Sequence, residues 1–88
     1  MDGTRERMNW QLRAGMVWDT IAEQPKPVSI AEICALTGLK RTPYLGDILN
    51  WLTARNYLAY TLMRGDKGHA QIVYWAQTQP DLTDYTKP

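Results

Sequence analysis

The chain has 88 residues, of which 44% are hydrophobic and 22% charged, with a net charge of +1. That is enough for one small domain and too little for two, and no run approaches the roughly 20 apolar residues of a membrane span. The polar opening Met1–Arg7 argues against a secretory signal, and one cysteine, Cys34, can neither close an internal disulfide nor build a zinc site, so a reducing, cytoplasmic setting is expected.

The first expected element is a helix capped by Thr4 and running to about Gln24, where Pro25-Lys26-Pro27 ends it. At about 100° per residue, Trp10, Ala14, Val17, Trp18 and Ile21 fall on one face, the core stripe. Met8, Leu12 and Met16 fall on nearly the opposite face, with Gly15 beside them. An outer helix of a small domain needs a single apolar stripe, so the second one calls for cover. The C-terminal tail or another subunit could supply it, and a homodimer contact through Met8, Leu12 and Met16 is expected.

Ser29 and Glu32 have the S-x-x-E spacing of a capping box, which starts a second helix carrying Ile30, Ile33, Cys34 and Leu36. Thr37-Gly38 stops it, because glycine accepts the left-handed cap conformation. Thr42 as N-cap and Pro43 at the first helical position start a third helix, 42–56, with Leu45, Ile48, Leu49 and Leu52 as its buried stripe. From Tyr57 the composition turns β-rich. Two strands, 57–64 and 71–76, flank the turn-forming cluster Gly65-Asp66-Lys67-Gly68, a hairpin with a basic tip. Residues 1–76 thus form one domain, α+β, with three helices and a C-terminal hairpin, and residues 77–88 form a tail.

Charge is distributed unevenly along this scheme. Residues 37–76 hold Lys40, Arg41, Arg55, Arg64 and Lys67 against Asp47 and Asp66, a net +3, while the segments on either side are each −1. Two short helices joined by a tight turn with a glycine, Gly38, is the helix-turn-helix arrangement, and the positive charge is concentrated on the same segment.

With the leading helix and the hairpin added, the chain resembles the winged helix-turn-helix superfamily of bacterial, archaeal and phage regulators. The resemblance spans about Trp10 to Ala76 and rests on PVSIAEICALTGLKRTPYLGDILNWLTARNYL, in which a TGL turn precedes the recognition helix. The turn is one residue longer than in MarR-like proteins, and the IVYW end of the wing resembles small regulators of fimbrial phase variation. Where the superfamily usually has glycine after the third helix, this chain has Asn56, the next best residue for a left-handed backbone.

The resemblance implies a double-stranded DNA-binding regulator with the third helix in the major groove and the wing, 58–76, on the backbone or minor groove. Tyr44, Asp47 and Asn50, on the early turns, become the candidates for reading base edges. Lys40, Arg41 and Thr42 would lie near phosphates, and Arg64, Lys67 and His69 at the wing tip would meet the minor groove or its flanks. Asp47 is discordant, because a carboxylate on a reading face repels phosphate unless it meets a base. Trp51 is expected to pack against the wing or a partner, and Cys34 in the core.

One histidine and one cysteine supply neither a nucleophile with its base nor a metal cluster, and there is no phosphate-binding G-x-x-x-x-G-K-[ST] loop. No catalysis, no cofactor and no small-molecule ligand are expected. The near-neutral charge and the second apolar face keep another function open: a winged helix serving as a protein-interaction module in a phage, plasmid or replication assembly.

Overall fold

The computed structural model describes the backbone of residues 3–65 and 68–81, with side chains from Asn9 onward. The elements run α1 (Gly3–Ala22), β1 (Val28–Ser29), α2 (Ile30–Thr37), α3 (Pro43–Ala54), β2 (Leu58–Arg64) and β3 (Ala70–Ala76). Three helices pack on a three-stranded antiparallel sheet of order β1-β3-β2, a winged helix-turn-helix.

The local stop and start signals work by hydrogen bonding. At the end of α1 the Glu23 and Gln24 amides donate back to Asp19 and Ile21 (3.0 and 3.2 Å), and Pro25 cannot continue the ladder. The helix begins at Gly3, so Thr4 lies inside its first turn and is not its cap; a cap needs extended backbone, and Thr4 is helical. At α2 the capping box is complete: the Glu32 amide donates to Ser29 Oγ (3.2 Å) and the Ser29 amide to Glu32 Oε1 (3.1 Å). Gly38, at φ 78°, closes α2 with its amide on the Cys34 carbonyl.

Thr42 Oγ1 accepts from the Leu45 amide at the head of α3. At the other end, the Tyr57 amide reaches the Leu52 carbonyl (2.9 Å) and the Asn56 amide reaches that of Thr53 (3.0 Å). Asn56 stands at φ 63° between them. This is the Schellman arrangement, including its apolar contact, since the Tyr57 ring lies 5.7 Å from that of Trp51.

The core takes Trp10, Ala14, Val17 and Ile21 from α1 together with Leu45, Ile48, Leu49 and Leu52 from α3, all in the expected stripes. Trp51 joins them, 7% exposed, its ring nearly perpendicular to that of Trp10 with centroids 5.1 Å apart; it packs inside the subunit. Leu36 departs from expectation at 51% exposure: at about 100° per residue it falls at the edge of the stripe that Ile30, Ile33 and Cys34 bury. Trp18, half-buried, donates its indole N–H to the Tyr57 carbonyl (2.8 Å), which also accepts from the Gln77 and Thr78 amides. One carbonyl thereby ties α1, the α3–β2 junction and the chain after β3 together.

β1 has no counterpart in the sequence pattern. Two residues are too few to alternate, and the strand exists because β3 offers its free edge, pairing Val28 with Tyr74 and Ser29 with Val73.

Candidate nucleic-acid interface

The hydrogen-bonded ends of α2 and α3 set the turn between them, and that turn presents Lys40, Arg41 and Thr42 to solvent. Beyond it the outer face of α3 runs Pro43, Asp47, Asn50 and Ala54, all exposed, while the opposite face is sealed into the core. An exposed face free of large apolar side chains, on a helix held this firmly, is a surface that can enter a groove without rearrangement.

Tyr44 behaves differently from its neighbours. It is half-buried against the core, and the Arg13 guanidinium of α1 lies over its ring, 5.7 Å from the centroid. Together with Asn9, Gly38, Leu39, Lys40 and Thr42 these residues line a cleft of about 540 Å³ between α1 and the turn, floored by Leu45 and Ile48. Among the described residues, two cations line it and no carboxylate does. Of the residues expected from sequence, the cleft brings together Lys40, Thr42 and Tyr44; Arg41, Asp47 and Asn50 lie outside its lining. The α1 contributors, Asn9 and Arg13, escape sequence reasoning. Their four-residue spacing puts them on one side of a helix, but nothing local says what that side faces.

At the wing, Arg64 and His69 are exposed at the ends of β2 and the turn, closed by the Gly65 amide on the His69 carbonyl (2.9 Å) and by Gly68 at φ 78°. Lys67 lies outside the described residues. Below the tip the hairpin is unexpectedly apolar. Leu62 pairs with Ile72 and Tyr60 with Tyr74 on one face, and Tyr60 and Leu62 are 60% and 67% exposed. Met63 and Trp75, on the other face, are also partly exposed. The signal is legible as an apolar run broken only by Thr61, Tyr57-Leu58-Ala59-Tyr60-Thr61-Leu62-Met63, where a half-solvated strand alternates. Burial, with the neighbouring Tyr60 phenol adding to it, raises the Tyr74 phenol above its ordinary 10.0.

On α1 the face away from the core bears Leu12 and Met16, 69% and 39% exposed. They line an open groove with Gly15, Asp19 and Glu23. The Met8 side chain lies outside the described residues. Among the described residues no helix is long and apolar enough to cross a membrane, and no group of His, Cys, Asp and Glu is arranged to hold a metal ion.

No protein-family model matches the sequence, and no curated protein matches it. Among solved structures, the chain is similar to a PadR-like transcription factor from Bacteroides fragilis, with a TM-score of 0.76 and 13% identity. The match covers 89% of this chain and 78% of that one. At that identity the likeness is one of fold, and it agrees with the winged helix-turn-helix built up above.

Proposed function

We propose that this chain is a double-stranded DNA-binding transcriptional regulator of the cytoplasm, acting as a homodimer with α3 in the major groove. The observation that carries the reading is the outer face of α3, exposed from Pro43 to Ala54 and preceded by the exposed cations Lys40 and Arg41. The transcription factor with the same fold supports it. Asn50 is suited to pair with adenine and Asp47 to accept from cytosine N4, which gives the carboxylate a base to meet. Lys40, Arg41 and Thr42 hold the backbone beside the groove; Arg64, His69 and Lys67 extend the contact from the wing.

A dimer places two such helices on one duplex. Its contact is the apolar strip of Leu12 and Met16, with Met8 continuing it along the sequence. The test is fluorescence anisotropy on mixed-sequence duplex DNA across a salt series. Affinity should fall with a log–log slope of about −0.9 for each phosphate neutralised. No binding at low salt would overturn the reading.

The apolar wing favours a second reading, a winged helix that docks on another protein. Tyr60, Leu62 and Ile72 form an exposed ladder that neither a phosphate backbone nor a minor groove requires. Replacing Leu62 by Ser should leave duplex binding unchanged if the chain works on DNA alone.

A further inference from the structure

We infer that Arg13 of α1 is a DNA-backbone contact, reaching across the cleft beside α3 to a phosphate that Lys40 holds from the other side. The inference rests on the DNA-binding reading and adds to it a residue outside the helix-turn-helix. Three observations converge on it. The cleft is lined by Arg13 and Lys40 with no carboxylate among its described residues, and it opens next to the start of the helix whose outer face is exposed. The Arg13 guanidinium is held over the Tyr44 ring, 5.7 Å from its centroid, so a long flexible cation is already positioned at the cleft. The exposed carboxylates of the same helix, Asp19 and Glu23, line a different groove, so neither faces the cleft.

A positioned guanidinium and an ammonium lining one cleft with an apolar floor match a phosphodiester, whose two non-bridging oxygens share one negative charge and need no buried donor network. The geometry also gives Tyr44 a task other than reading a base. Half-buried beneath Arg13, it is a positioning residue, and its ring fixes where the cation points.

The experiment uses the full chain and a mixed-sequence duplex of about 20 base pairs, long enough to span two major-groove turns, with anisotropy read across a salt series. Arg13→Gln should reduce the magnitude of the log–log salt slope by about 0.9 and weaken binding roughly tenfold near 0.1 M salt, while Arg13→Lys keeps the slope. Tyr44→Leu, which retains the charge and removes the ring, should keep the slope and lower affinity by a smaller factor. Arg13 is exposed, so its variants should melt at the wild-type temperature, which is checked alongside. If Arg13→Gln leaves slope and affinity unchanged while Lys40→Gln lowers both, the inference is overturned and the DNA reading stands. If the wild type binds no duplex, both are overturned. Inorganic phosphate separates the source of the anion: saturable amide shifts at residues 9, 13, 38–42, 44 and 45 at millimolar phosphate, together with an Arg13→Gln variant whose duplex affinity is unchanged, would assign the cleft to a free anion and overturn the backbone contact.

Discussion

Two surfaces of α1 lie outside its buried stripe of Trp10, Ala14, Val17 and Ile21, and they present different chemistry. One side, through Asn9 and Arg13, walls a cationic cleft against the helix-turn-helix. The other, turned away from the core, exposes Leu12 and Met16 in a groove that Asp19 and Glu23 also line. A helix of 3.6 residues per turn presents several faces at once, and here one is sealed in the core, one lines the cationic cleft and one is left apolar and exposed.

The largest effect should come from removing what holds both sides in place. Trp10→Ala deletes a ring that packs edge-on against Trp51, at a cost of about 3–5 kcal/mol. For a domain this small that is most of its stability, and denaturant unfolding should show the transition shifted or absent. Next, Lys40→Glu with Arg41→Glu strips the cationic side of its turn residues. Duplex affinity near 0.1 M salt should drop by roughly a hundredfold, about tenfold for each phosphate no longer neutralised, read by anisotropy.

On the other side, Leu12→Glu should convert a dimer to a monomer by light scattering without lowering the melting temperature, because Leu12 is 69% exposed within one subunit. A wild type that is already monomeric would remove the apolar-partner half of the comparison. Asp19→Lys with Glu23→Lys would make both sides of α1 basic; non-specific duplex affinity should then rise by a few-fold, an effect that salt abolishes.

The smallest effect lies off α1 altogether. Tyr74 has its phenol raised in the folded state, so its contribution is fully present below the unfolded value near 10 and is lost as pH rises through the higher folded value. Denaturation midpoints should hold steady to about pH 10 and decline above it, and Tyr74→Phe should flatten that decline.

Much of the fold was legible because its signals are short-ranged. The capping box at Ser29 and Glu32, the left-handed Gly38, the Thr42-Pro43 start and the left-handed Asn56 each involve groups within a few residues of one another. Such hydrogen bonds form wherever the sequence places them. The candidate site was legible in part: Lys40, Arg41, Asp47 and Asn50 could be placed on the turn and the outer face of α3 from periodicity alone. Leu36 shows the limit of the same method, since period says which face a side chain takes and not how far the neighbouring element extends over it.

The sequence by itself therefore determined where the helices begin and end, which stripe of each is apolar, and that α1 carries one apolar stripe too many. Only the tertiary structure decided what faces what. It paired β1 with the edge of β3, sealed Trp51 under Trp10, and brought Arg13 over Tyr44 from an element far away in sequence. The physical reason is that caps and periods are properties of a few adjacent residues, whereas a cleft is set by the angle at which two helices dock. That angle comes from the packing of the whole core.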